Sequence, residues 1–184
     1  MTGVHSSVAD DAEREEQDVR RFWDAYAKAV GVRGGTPVVM RFGDSDELAE
    51  EFASLVMAGT KRAHASLPRD FGARGRRFPR RGDLSVVLDG ARAPRCVIRC
   101  VDVDVKRMAE VDERFAWDSG GGDRSLRWWV SAHLRYFRRQ AAREGFSVGA
   151  DTELVLERFE VVWPLELADS PAGPEWKGST LTES

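Results

Sequence analysis

The sequence has only two cysteines, Cys96 and Cys100, and three histidines among its 184 residues. The cysteines lie four apart in a segment that reads as a β-strand, RCVIRCVDVDV, so their Cα atoms would be about 13 Å apart at ~3.3 Å per residue. That separation excludes a disulfide between them, and we interpret both as core thiols in a reducing compartment. No neighbouring His or Cys completes a metal-ligand set, so we expect no metal and no cofactor.

Long apolar runs and the common catalytic signatures are also missing. No apolar stretch approaches the ~20 residues that span a bilayer, and the N-terminus has no apolar segment of the signal-peptide kind, so we expect no membrane partner and a cytoplasmic location. The chain contains no GxSxG elbow, HExxH pair, Walker A loop or dinucleotide fingerprint. These absences argue against the corresponding hydrolases, zinc enzymes and nucleotide-dependent enzymes.

The net charge of −3 conceals an uneven distribution of charge along the chain. Residues 1–20 contain six acidic side chains and two arginines, whereas residues 61–81 contain eight basic side chains and a single acid, Asp70. The local sign of charge determines which ligands a surface attracts. The basic segment therefore favours a negatively charged ligand despite the negative total.

The sequence pattern divides the chain into a disordered acidic tail (1–17), a folded domain (18–166) and a polar C-terminal tail (167–184). Apolar periodicity and capping residues predict one helix that ends near Val30, two more over 44–58 and 124–144, and a short one within 105–117. We predict a loop over 68–82 and strands over 38–42, 60–67, 83–89, 95–105 and 152–165. Short, closely spaced strands predict an α+β fold with a small, mostly antiparallel sheet or barrel flanked by helices.

The early strand, in MAGTKRAHAS, carries three potential cations. On an ideal strand Arg62, His64 and Ser66 share one face, and Lys61 shares the other with two alanines that look core-facing. A lysine near the interior would have a depressed pKa and could act as a base or anchor an anion. The alternative is that Lys61 neutralises the carbonyl end of the preceding helix.

The helix over 124–144 has an apolar face that includes His133 and an opposite face rich in arginine. The arginine face consists of Arg124, Arg127, Trp128, Arg135, Arg138, Arg139 and Arg143. Arginine beside an aromatic ring is typical of proteins that bind single-stranded RNA, although a solvated charged face would look the same. We interpret His133 as a hydrogen-bonded core residue, with catalysis as the alternative.

Four segments of the chain together resemble the ASCH domain family over roughly Phe22 to Trp163. They are FGDSDELAEEFASLVMAGTKRAHASL, GDLSVVLDGARAPRCVIRCVDVDV, VDERFAWDSGGGDRSLRWWVSAHLRYF and LVLERFEVVW. The resemblance implies a PUA-like fold, a small β-barrel flanked by helices, in a superfamily dominated by RNA-binding domains. Some relatives act as ribonucleases, and some small relatives hydrolyse N4-acylated cytidines with a Lys, a Thr three residues later and a distant Glu.

The family's site residues match this chain only in part. The Lys corresponds to Lys61, the Thr position holds His64, and the Glu position corresponds to Ser119, because the usual EGEGD reads SGGGD here. Asp123 and Ser125 match the start of the family's helix. The resemblance therefore gives Lys61, His64, Ser119 and Ser125 as catalytic candidates.

Three functions remain open from the sequence. The first is RNA or nucleotide binding, with metal-independent ribonuclease activity in which Lys61 binds phosphate and His64 is the acid or base. The second is hydrolysis of N4-acylated cytidine-type nucleosides, and the third is a non-catalytic module that senses a ligand. The expected nucleic-acid contacts are Arg62, Arg69, Asp123, Arg124, Arg127 and Trp128. The oligomeric state stays open.

Overall fold

The computed structural model describes residues 4–31, 35–73 and 75–169. Its centre is a curled sheet, a half-barrel, of five strands: β1 (Val38–Arg41), β2 (Ala63–Ser66), β3 (Leu84–Leu88), β4 (Pro94–Arg107) and β5 (Glu153–Trp163). The strands lie in the order β1-β3-β4-β5-β2. Only β1 and β3 pair in parallel; the other three pairings are antiparallel. The predicted α+β fold with a mostly antiparallel sheet is confirmed.

The long pair β4 and β5 forms the middle of the sheet. Valine, isoleucine and phenylalanine side chains from both strands are buried, as expected for residues that favour a pleated, covered surface. The register between the strands shifts at two points, Val97/Ile98 and Cys100/Asp102. Such irregularities increase local twist, which suits a curled sheet.

In the described ranges, five helices surround the sheet: α1 (Val4–Val30), α2 (Asp46–Met57), α3 (Pro68–Ala73), α4 (Glu113–Ser119) and α5 (Leu126–Glu144). Short 3-10 turns follow β4 at Met108–Glu110 and β5 at Leu165–Leu167. The side chains of Ser45, Asp112 and Ser125 accept hydrogen bonds from backbone N–H groups at the starts of α2, α4 and α5. These side chains therefore fix where the helices begin.

The structure corrects the sequence prediction at two helices. Helix α1 begins at Val4, so residues 4–17, which we predicted to be disordered, are helical; their Ala, Glu and Arg content favours helix despite the weak apolar pattern. Helix α3 lies inside the predicted loop 68–82, where Pro68 occupies the first helical position and Asp70 accepts from the Leu67 N–H. Residues 1–3 and 170–184 of the predicted tails lie outside the described residues.

The buried side chains form three clusters around the sheet. One lies between β2, β5 and helices α4 and α5 and contains Trp129, Phe115 and Phe137. A second packs α2 against the other side of the curl through Phe42 and Phe159. The third packs α1 on β3 and β4. The first two clusters flank the turn that carries Lys61, so that turn lies between two packed cores.

Candidate functional site

Lys61 lies inside the protein, in the turn between α2 and β2, with only 5% of its surface exposed. Its Nζ donates to the carbonyl oxygens of Ala63 at 2.8 Å and Ser119 at 3.2 Å. The same nitrogen lies 5.0 Å from the ring centres of both Phe42 and Phe52. The interior position that its alanine neighbours indicated is thus observed.

Burial lowers the pKa of Lys61 to about 7. The cause is desolvation, because its hydrogen-bond acceptors are neutral carbonyls rather than carboxylates. An ammonium has three N–H donors and two are used here, so one remains for a ligand. Lys61 is therefore an amine that titrates near neutral pH.

The end of α2 is satisfied by Arg62 rather than by the Lys61 side chain. The Arg62 guanidinium donates to the Val56 carbonyl at 2.8 Å and forms a two-pronged ion pair with Asp169, with both N–O distances 2.6 Å. Arg62 is buried in these contacts. This geometry gives Arg62 a structural role in place of the predicted nucleic-acid contact.

The glycine loop after α4 holds the other side of the Lys61 turn. Gly120 ends α4 with φ +77°, and a Cβ there would lie 2.8 Å from the Thr60 carbonyl oxygen, so only glycine fits. Just before it, the Ser119 hydroxyl donates to Phe115 O at 2.9 Å and accepts from Trp129 Nε1 at 3.0 Å. Both hydrogen-bonding capacities of Ser119 are engaged, which leaves its carbonyl, not its hydroxyl, in contact with Lys61.

Lys61 lies at a cavity of about 250 Å³, the inner pocket. Its walls include Phe42, Phe52, Lys61, His64, Trp128 and His133, and the exposed Arg135 and Arg139 stand among its lining residues. The Trp128 indole packs on the glycine loop so closely that a Cβ at Gly121 or Gly122 would lie 2.7 or 2.1 Å from it. Gly121 and Gly122 therefore leave room for the Trp128 ring as a wall of the pocket. Among the described residues, no carboxylate lines this pocket.

His133 contributes a hydrogen-bond acceptor to the inner pocket. Its Nδ1 lies 2.9 Å from the Trp129 carbonyl oxygen and its ring stacks on Trp129 at 3.9 Å. Because a carbonyl only accepts, Nδ1 carries the hydrogen and Nε2 has a free lone pair. Burial lowers the pKa of His133 to about 4, so it is neutral at pH 7. The predicted hydrogen-bonded core histidine is observed, and it also lines the pocket.

His64 forms the boundary between the inner pocket and a second cavity. Its Nε2 lies 3.0 Å from the Ser66 hydroxyl, and its ring meets Phe42 edge-on at 5.1 Å. Desolvation, followed by the charges of Lys61 and His133, lowers the pKa of His64 to about 3. His64 is consequently neutral at pH 7, and it is a weaker base than an exposed histidine.

The second cavity, the outer cavity, has a volume of about 450 Å³. Its lining includes Arg41, His64, Ser66, Arg76, Arg77 and Glu157. Glu157 is paired with His64 across β5 and β2, and burial raises the pKa of its carboxyl to about 7. Sequence reasoning missed Glu157; the only local signal is an acid inside the buried run of the strand ELVLERFEVVW.

The remaining predicted residues lie outside the inner pocket. Ser125 caps α5 by accepting from the Trp128 N–H at 3.1 Å and donates to Asp123 at 2.6 Å. Arg124 stacks on Trp117 at 3.8 Å, and Arg69 stacks on Phe146 at 3.7 Å.

Arg127 is exposed on the outer side of α5. The structure thus brings together Lys61, His64, Ser119 and Trp128, and separates them from the other six candidates.

The described part of the chain has neither a cluster of metal-ligating side chains nor a helix suited to span a membrane. No group of three or more His, Cys, Asp or Glu side chains there is arranged to hold a metal ion. None of the helices in these residues is both long and apolar enough to cross a bilayer.

Comparison with known proteins places the chain in a family. The family model described as ASCH domain matches residues 38–163. The crystal structure of an ASCH domain from Lactobacillus crispatus JV V101 is similar, with 31% identity, a TM-score of 0.73, and 79% of this chain and 94% of that one covered. A crystal structure of a protein from Enterococcus faecalis V583 matches at 30% identity and TM-score 0.73, covering 79% and 88%. No curated protein matches. The chain, which carries its buried lysine between two packed cores, belongs to the ASCH domain family.

Proposed function

We propose that the inner pocket binds a nucleobase, carried by a single-stranded RNA or a nucleotide. The observation that carries this proposal is the combination of a flat Trp128 wall, a spare donor on Lys61 and a free acceptor on His133 Nε2 around one cavity. Unstacked bases are held in proteins by aromatic stacking together with hydrogen bonds to the base edge. The pocket offers both kinds of contact.

The size and charge of the pocket favour one base rather than a long ligand. Its volume of about 250 Å³ is slightly below the ~300–1,000 Å³ typical of ligand pockets. The sugar-phosphate chain would then lie outside, near Arg135 and Arg139. Arg139 is paired with Asp44 at 2.8 Å, whereas Arg135 contacts only the Ser131 hydroxyl among the described residues and keeps its charge for a phosphate.

Equilibrium binding of a short fluorescent single-stranded RNA tests this proposal. We expect micromolar or tighter binding that weakens by about tenfold or more between about 50 and 200 mM salt, as for roughly three phosphate contacts. Lys61→Met removes the spare donor and should weaken binding at least tenfold. Trp128→Leu removes a stacking surface worth ~1–3 kcal/mol per base, which is about 5- to 150-fold in affinity.

Two matched substitutions separate the pocket from the surface. Lys106→Met removes an exposed lysine paired with Asp104, and Trp117→Leu removes a tryptophan that is 41% exposed. Neither residue lines the inner pocket. Both variants should bind within twofold of the parent; an equal loss in the control and pocket variants would refute a role for the pocket.

A metal-independent ribonuclease is a second candidate, favoured by the Lys61 amine, whose pKa is about 7, and by the imidazole of His64 in the same pocket, although its lowered pKa makes His64 a weak base. Neutral His64 would accept the proton of the 2′-hydroxyl, whose oxygen attacks phosphorus. The P–O5′ bond breaks, protonated Lys61 gives its proton to the leaving 5′-oxygen, and a 2′,3′-cyclic phosphate forms. In this scheme Lys61 is the acid and His64 is the base. From the sequence we expected Lys61 to bind phosphate and His64 to be the acid or the base.

Cleavage of a labelled RNA in EDTA tests this second function. The rate should be steady from about pH 5 to pH 6.5 and fall above pH 7, as Lys61 loses its proton. Lys61→Met and His64→Gln should each abolish cleavage, and an oligonucleotide with 2′-deoxyribose should resist it. Activity that persists in both variants would identify a contaminating nuclease.

The amidohydrolase alternative has less support from the site. The Ser119 hydroxyl donates its proton to the Phe115 carbonyl and accepts from the Trp129 indole, His64 replaces the hydroxyl nucleophile, and the described inner pocket has no carboxylate. We expect no conversion of N4-acetylcytidine to cytidine, as followed by absorbance. Binding of RNA with neither cleavage nor conversion would support the binding proposal alone, whereas no binding of RNA and no catalysis would leave the ligand-sensing module.

A further inference from the structure

The outer cavity adjoins the inner pocket, because the two cavities share part of their lining. His64, Gly43 and Tyr136 line both cavities. Gly43 contributes no side chain to the boundary, and the two polar side chains there, the His64 ring and the Tyr136 phenol, belong to different elements. For a ligand with its base in the inner pocket, the outer cavity is therefore the adjoining space on the far side of His64.

The outer cavity brings guanidinium groups from two parts of the chain to one place. Arg41 comes from the end of β1, and Arg76 and Arg77 come from the segment between α3 and β3. Arg77 is occupied, because it forms a two-pronged ion pair with Asp83 at 2.6 and 2.9 Å. Arg76 is exposed and forms no ion pair with any described residue. Of these two guanidinium groups, that of Arg77 is paired with a carboxylate and that of Arg76 is paired with none in the described residues.

Arg41 has an unsatisfied donor. One of its terminal nitrogens donates to Asp46, but its Nε–H is buried and has no hydrogen-bond partner among the described residues. A buried N–H without an acceptor is costly, so such groups are usually satisfied by water or by a ligand. A ligand oxygen in the outer cavity is one acceptor that could reach this part of the wall.

Two of the three acidic side chains that line the outer cavity, Asp70 and Asp83, are held by neighbouring groups. Asp83 is held by Arg77, and Asp70 accepts from the Leu67 N–H at 3.2 Å and from Gln140 Nε2 at 2.6 Å. Glu157 is buried in the wall. Apart from the buried Glu157, the groups left for an incoming ligand are the donors Arg76, Arg41 Nε and the Tyr136 hydroxyl.

From this geometry we infer that the outer cavity is a phosphate subsite, so that the ligand is a nucleoside monophosphate with its base in the inner pocket. This inference rests on the proposed function. A phosphate monoester offers several acceptor oxygens and up to two negative charges, which match donors converging from two elements. A nucleoside without phosphate would leave the outer cavity filled only by water.

Titration calorimetry with nucleosides, their 5′- and 3′-monophosphates and inorganic phosphate tests the inference. We expect at least one monophosphate to bind tenfold or more tightly than its nucleoside. Arg76→Gln should reduce that gain to less than threefold while leaving the nucleoside affinity unchanged. Arg80→Gln, in the same segment but outside the outer cavity, is the matched control and should retain the full gain.

The other outcomes overturn the inference in distinguishable ways. Equal affinity for a nucleoside and both of its monophosphates would refute the phosphate subsite but leave the nucleobase proposal standing. Binding of neither by the folded protein, together with no binding of RNA, would refute both. If inorganic phosphate alone bound as tightly as the nucleotide and in an Arg76-dependent manner, the cavity would be an independent phosphate site and the bipartite ligand would be wrong.

Discussion

The burial of Lys61 predicts that the protein becomes more stable as the pH rises above 7, and that Lys61→Met removes this effect. The folded protein lowers the pKa of Lys61 from 10.5 to about 7. Between those two values the unfolded chain binds more protons than the folded one. Raising the pH therefore stabilises the folded state by removing a proton that it accommodates poorly.

The magnitude follows from the size of the shift. Each pKa unit corresponds to ~1.4 kcal/mol, and Lys61 is only half protonated in the folded state at pH 7. Between pH 7 and pH 9 its contribution to the free energy of unfolding should rise by about 2 kcal/mol. Lys61→Met also leaves the carbonyls of Ala63 and Ser119 without a donor, but that cost does not change with pH.

Urea denaturation at pH 7 and pH 9 measures this contribution. The parent should gain about 2 kcal/mol relative to Lys61→Met on going to pH 9, since other titrating groups cancel in the difference. Lys106→Met is the control, because Lys106 is exposed and paired with Asp104, and it should follow the parent. Parallel pH profiles for the parent and Lys61→Met would show that Lys61 is solvated, and would refute the buried-amine description.

Three further predictions concern the packing around the site. Gly122→Ala places a Cβ 2.1 Å from the Trp128 indole, at a residue whose φ is +54°. It should lower the free energy of unfolding measured in urea by about 1–3 kcal/mol and weaken RNA binding. Gly149→Ala is the control and should leave stability unchanged, because the space around Gly149 is open. Arg62→Met strands the Asp169 carboxylate and should cost ~3 kcal/mol or more, part of which Asp169→Asn recovers in the double variant. Both cysteine thiols have their pKa raised to about 12 by burial, so a thiol reagent at pH 8 should label them only after unfolding.

The parts of the fold set by local signals were predictable from the sequence. Residue type and spacing predicted a helix cap at Asp44 or Ser45 and another at Asp123 or Ser125, and the two serines are the caps. The start of α1 was missed because its first turns lack apolar periodicity, although their residues favour helix. Pro68 was interpreted as the beginning of a loop, but proline is equally suited to the first position of a helix.

The candidate site, too, was predictable from the sequence only where the signal is local. Alternation of alanines around Lys61 was enough to indicate its burial, because that signal lies within four residues. The ion pair between Arg62 and Asp169 and the pairing of His64 with Glu157 join residues about a hundred positions apart. Strand pairing between β2 and β5 creates the second of these, and no local pattern specifies that pairing. Contacts of this kind can be recognised only once the fold is known.

The most direct test of the central claim is a ¹⁵N–¹H chemical-shift titration of the full chain with a nucleoside monophosphate. The account predicts that the largest shifts fall on the backbone amides of Lys61 and Gly121, the amide of His133 and the indole N–H of Trp128, with saturation at one equivalent. Shifts confined to the exposed arginines of α5, growing without saturation, would contradict a base held in the inner pocket.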